Sequence, residues 1–136
     1  MNSDTEKKID QLLHYLPLFS DKNFKWIESR SPWEPDENGI YPFPSISYKE
    51  EVLNFFRILS DPFWLDRNYL NSNAREILNS EEKIRQCTFK EIKTVLTYCN
   101  RGERFCTGHW NTLFESGKIT RILLRLKELK DQGKIR

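Results

Sequence analysis

No stretch of the 136-residue chain approaches the ~20 consecutive apolar residues that a membrane-spanning helix needs. A helical membrane protein is therefore excluded as an expectation. Glycine is scarce, and its five copies (Gly39, Gly102, Gly108, Gly117 and Gly133) are dispersed. Neither a GxGxxG fingerprint nor a P-loop can be assembled from them, so the common phosphate-cradling loops are missing. Cysteine occurs three times, as Cys87, Cys99 and Cys106. An odd number without a secretory leader argues against a disulfide framework. The opening residues MNSDTEKKID hold no apolar core of a signal peptide, and the expected compartment is the cytoplasm. With only His14 and His109 for histidines, closed zinc sites are hard to build.

What the chain does have is aromatic weight and helical periodicity. Phe, Trp and Tyr make up 13 % of it, with four Trp and nine Phe. A chain of this length buries roughly two thirds of its unfolded surface, enough for one ordinary core. The expectation is a single domain over 1–136. Ile9, Leu12, Leu13, Leu16 and Phe19 fall on one helical stripe, which Pro17 ends or kinks. Phe24, Trp26 and Ile27 read as a further helical turn. Residues 30–46, RSPWEPDENGIYPFPSI, contain Pro32, Pro35, Pro42 and Pro44 and cannot form a regular helix. This long loop carries Trp33, Tyr41 and Phe43, which are expected to pin it to the core. Asn38-Gly39 signals a turn and allows a small hairpin.

Beyond the loop, Ser47 and Glu50 read as a capping box. Val52, Phe55, Phe56 and Leu59 then make the buried stripe of a central helix, widened by Leu53 and Ile58. A short helix follows from Ser72 or Asn73 to Leu78. Thr88 and Glu91 form a second capping box. Phe89, Ile92, Val95, Leu96 and Cys99 lie within about 120° of the wheel behind it. Gly102 is expected to stop that helix, Thr107 to cap the next, and Gly117 to end it. The last helix buries Ile119, Ile122, Leu123, Leu126 and Leu129 and fades near Gly133. The predicted architecture is an all-α bundle of five to six helices without strands. Residues 88–131 form its C-terminal three-helix unit.

Chemistry concentrates in CNRGERFCTGHW, residues 99–110. Cys106 and His109 are three apart, with Glu103 upstream, as a thiol, a base and an orienting acid would be. Cys106 just before a helix start would have its thiol pKa lowered. The same spacing is half a zinc site, yet Cys99 belongs to a core stripe and no fourth ligand is evident, so no metal and no cofactor is expected. The plainer alternative is a polar knot. Phe105 and Trp110 fill the corner, and Arg101 or Arg104 pairs with Glu103 or with helix-end carbonyls. The candidate cluster is thus Arg101, Glu103, Arg104, Cys106 and His109.

Charge marks a second region. Residues 1–100 carry 13 Lys+Arg against 16 Asp+Glu, whereas 101–136 carry 9 against 4. In the last helix Lys118, Arg121 and Arg125 share one edge, suited to phosphates in a helix-turn-helix arrangement. Leu124 points away from the core stripe, as a protein contact or self-association surface would require. The expectation is a binding or regulatory module acting through protein contacts. A nucleic-acid-binding helix-turn-helix protein and a small enzyme using Cys106, His109 and Glu103 stand as alternatives, with the enzyme disfavoured.

The stretch RGERFCTGHW, followed by ESGKI and RILLRLKEL, resembles a bacterial domain-of-unknown-function family with an R-G-E-R-F-C-x-G-H-W signature. A weaker likeness covers YPFPSISYKEEVLNFF. Lys118 separates Gly117 from Ile119, where the family shows a tighter pair. The resemblance implies a small bacterial protein with no assigned activity. It marks Arg101, Gly102, Glu103, Arg104, Phe105, Cys106, Gly108, His109 and Trp110 as the characteristic stretch.

Overall fold

The computed structural model describes residues 3–30, 37–38, 46–106 and 108–135. The expected packing of Trp33, Tyr41 and Phe43, the turn glycine Gly39 and the cap at Thr107 lie outside these residues. The architecture is helical, with α1 (Ser3–Leu13), α2 (Leu16–Ser20), α3 (Glu50–Ile58), α4 (Ala74–Leu78), α5 (Glu81–Gln86), α6 (Phe89–Phe105), α7 (His109–Glu115) and α8 (Lys118–Asp131). These helices are shorter and more numerous than the five to six predicted. The stripe over residues 9–19 is split at His14–Tyr15, and Pro17 sits in the first turn of α2, where its missing N–H costs nothing.

Two strands correct the strand-free prediction. β1 (Ile27–Arg30) and β2 (Ile46–Tyr48) pair antiparallel, with Ile27 opposite Tyr48 and Arg30 opposite Ile46. A register irregularity between Ile27 and Ser29 bends β1. The Phe24–Ile27 piece is therefore extended and not a helical turn. The strands flank the proline-rich segment. Prolines bar the helical alternative, so local pairing satisfies the backbone instead. Strand alternation puts Tyr48 in the core and Ser47 outside. This overturns the Ser47–Glu50 capping box. Ser47 is committed to β2, and Lys49 is the N-cap of α3, without a side-chain cap.

The second capping box forms as expected: Thr88 Oγ1 accepts from Glu91 N–H at 3.2 Å, and the Glu91 carboxylate accepts from Thr88 N–H at 2.9 Å. Behind it α6 carries Ile92, Val95, Leu96 and Cys99, all buried. α6 packs against α4, α7 and α8, and α8 in turn against α1, α2, α5 and α7. Ile119, Ile122, Leu123, Leu126 and Leu129 are buried as the stripe requires. Gly117 at φ 74° and Gly133 at φ 68° take the left-handed conformation that punctuates α8 at both ends.

Two buried threonines dock the 60–71 connector on α6. Thr97 Oγ1 donates to the Lys93 carbonyl at 2.9 Å and accepts the Asp66 N–H at 3.0 Å. Thr94 Oγ1 donates to the Asp66 carboxylate at 2.5 Å, which holds that carboxyl below the usual range.

Candidate functional site

The RGERFCTGHW stretch forms the corner between α6 and α7. The expected stop at Gly102 does not occur, because α6 runs on to Phe105 and Gly102 lacks positive φ. Its role is steric. A Cβ placed on Gly102 would lie 2.2 Å from His109 Cδ2, 2.4 Å from Nε2 and 2.7 Å from Cγ. The His109 ring occupies the space that any other side chain at 102 would fill. Gly102 is thus a notch in α6 that receives the imidazole, with the Tyr98 ring meeting it edge-on at 5.8 Å.

Glu103 ties the corner together. α7 begins at His109, and its N-cap is Gly108 at φ 90°, which has no side chain to satisfy the first amides. The carboxylate of Glu103 does this from the preceding helix. It accepts the Gly108 N–H at 3.0 Å and the Trp110 N–H at 2.9 Å. Its charge also suits the positive end of the α7 dipole. The Tyr48 hydroxyl donates to the same carboxylate at 3.1 Å and accepts the Asn111 N–H at 3.2 Å. β2, α6 and α7 are joined through one carboxylate.

Trp110 completes the packing. Its ring stacks on Phe56 at 3.9 Å between centroids and 4° between planes, and its Nε1–H donates to the Cys99 carbonyl at 2.9 Å. Trp26 Nε1–H reaches Asn111 Oδ1 at 2.6 Å. The side chains of Arg104 and Phe105 lie outside the described residues. Arg101 does not pair with Glu103; its guanidinium sits 5.8 Å from the Tyr69 ring centroid.

Among the described residues no hydrogen bond joins the thiol and the imidazole of the stretch, although the His109 backbone N–H donates to the Cys106 carbonyl at 3.1 Å. His109 Nε2 is buried without a hydrogen-bond partner, and burial holds the imidazole below its ordinary pKa despite the nearby Glu103 charge. Cys106 is exposed, and its backbone caps the end of α6. Burial pushes the Cys99 thiol up to about 12 and the Cys87 thiol up to about 11. Among the described residues no three His, Cys, Asp or Glu side chains converge on a metal position. Thiol titration checks this division. In the native protein Cys106 alone should react with an aromatic disulfide reagent, and all three thiols only in denaturant. Rapid native labelling of Cys99 would contradict the packing.

The second predicted region lies on α8. Lys118 Nζ donates to Asn79 Oδ1 at 2.9 Å. Arg121 pairs with Glu81 at 2.7 Å and donates to the Ser116 carbonyl at 3.0 Å. Arg125 donates to the Cys87 carbonyl at 2.9 Å and pairs with Glu128 at 2.5 Å. Leu124 remains 51 % exposed among them. It opens on a cavity of about 280 Å³ between α5 and α8.

Phe56 is buried as its stripe requires, but its stacking on Trp110, the part played by Tyr48 and the notch role of Gly102 are not visible in the sequence. Each acts across more than one element, so no local spacing announces it. No curated protein and no solved structure matches the chain. One family model, described as a family of unknown function (DUF6508), matches residues 4–132, nearly the whole sequence. The chain belongs to this family.

Proposed function

We propose that this protein is a binding module working through protein contacts on the outer face of α8, and that the partner is a second copy of the chain. The observation that carries this reading is the exposed Leu124 with Arg121 and Glu128 on either side of it. Spacings of three and four residues put all three on one helical stripe. In an antiparallel pairing about a two-fold axis near Leu124, Arg121 of one copy faces Glu128 of the other. An Arg–Leu–Glu stripe is therefore self-complementary, as an isologous interface requires. The apolar anchor sits at its centre and the charges at its rim, the usual anatomy of such contacts.

The alternatives have weaker support. Phosphates would need Lys118, Arg121 and Arg125 released together from Asn79, Glu81 and the Cys87 carbonyl, with no carboxylate offered in return. Self-pairing instead exchanges the Arg121–Glu81 and Arg125–Glu128 pairs for an Arg–Glu pair between copies. An enzyme built on Glu103 and His109 would have to release groups that hold the α6–α7 corner.

Sedimentation equilibrium tests the reading. The wild-type chain should show a concentration-dependent dimer, and Leu124→Glu should be a monomer whose thermal melt matches that of the wild type at dilutions where the wild type is itself monomeric. A wild type that stays monomeric at its highest soluble concentration, or a Leu124→Glu variant that still dimerises, would refute it.

A further inference from the structure

A second concave surface lies between α3 and the C-terminal half of α6, and it shares no residue with the α8 face. A cavity of about 380 Å³, within the size range of ligand sites, has Leu53, Phe56 and Trp110 as its apolar wall. Leu53 is 36 % exposed there. A smaller recess of about 130 Å³ adjoins it, bounded by Leu65 and Arg101. The two share Ser60 and Asn100, whose side chains bond to each other at 3.2 Å.

Arg57 lines the larger cavity and Arg101 the smaller, so the two recesses that share Ser60 and Asn100 each have one arginine in their lining. Arg57 donates to Asn54 Oδ1 at 2.6 Å, and Arg101 sits over the Tyr69 ring. Among the described residues neither forms an ion pair with a carboxylate. The third charge at the groove is Glu103, whose two oxygens are filled by Tyr48, Gly108 and Trp110. Two arginines against one carboxylate leave a single positive charge. Guanidinium groups and an amide N–H are donors, suited to an oxyanion.

We propose that this groove binds a small monoanionic carboxylate with a flat apolar body. The carboxylate would sit between Arg57 and Arg101 beside Asn100, and the body against Leu53 and the exposed part of Trp110. A single excess positive charge matches a monoanion better than a phosphate dianion. The site also gives the RGERFCTGHW corner a second consequence: the knot that positions Trp110 and Arg101 builds the wall of the groove.

Proton–nitrogen correlation NMR with 3-phenylpropionate tests this. The expected result is saturable shifts at Leu53, Arg57, Asn100 and the Trp110 indole N–H. Affinity should fall about tenfold or more for the uncharged 3-phenylpropanamide and for the Arg57→Gln/Arg101→Gln variant. Equal binding of acid and amide, shifts confined to another surface, or no shifts up to about 10 mM would overturn the proposal. Tighter binding of phenyl phosphate would overturn the charge argument. If the double variant melts below the assay temperature, the acid–amide comparison on the wild type decides alone.

Discussion

Replacing Glu103 with alanine should destabilise the fold by about 2–4 kcal/mol, read from urea denaturation. The change strands two amides at the start of α7 and the Tyr48 hydroxyl, all of which now meet one carboxylate. Gly108 at the N-cap has nothing to replace it. Hydrogen bonds to a charged group are worth about 1.5–3 kcal/mol each, although water reaches this partly buried site and recovers some of that. Glu103→Gln keeps the shape and one acceptor oxygen, and should lose roughly half as much. The contrast with an active-site role is direct. Catalytic groups are commonly held at a cost to stability, and replacing them often stabilises the protein. A Glu103→Gln variant more stable than wild type would therefore point away from a structural knot.

Gly102→Ala should also destabilise, by about 1–2 kcal/mol, although it places a better helix former in a helix. Alanine in an ordinary helix interior would gain up to about 1 kcal/mol over glycine. Here the new Cβ meets the His109 ring at 2.2–2.7 Å on three atoms, including Cγ near the base of the side chain. Turning the ring about χ2 leaves Cγ where it is, so either the whole imidazole leaves its notch or α7 shifts against the hold of Glu103 and Trp110. In a His109→Ala background the obstruction is gone and the same Gly102→Ala change should become stabilising. Bulkier residues at 102 should cost more than alanine in the wild type.

The features legible in the sequence were those decided within one helix. The Thr88–Glu91 box, the stripes of α3, α6 and α8, and the breaks at Gly117 and Gly133 are local, and all are present. The Ser47–Glu50 box failed because the same residues had a competing use: pairing with β1 needs Ser47 extended and turns Tyr48 inward to the corner. Gly102 was misread for a related reason. A glycine near a helix end signals a stop only when it takes a left-handed conformation, and nothing local distinguishes that from a notch for a side chain seven residues on. Composition made RGERFCTGHW look reactive. Placement divides it into a carboxylate that caps α7, an imidazole that fills a notch, an indole that stacks, and one exposed thiol.

The Gly102 notch and the His109 ring act as one unit at the α6–α7 corner, and the Gly102→Ala/His109→Ala double-mutant cycle measures that coupling. Unfolding free energies of the wild type, both single variants and the double variant would be measured in urea under one set of conditions. The expected coupling is about 2 kcal/mol, with Gly102→Ala destabilising beside histidine and stabilising beside alanine. Additive effects, with Gly102→Ala equally harmful in both backgrounds, would contradict it.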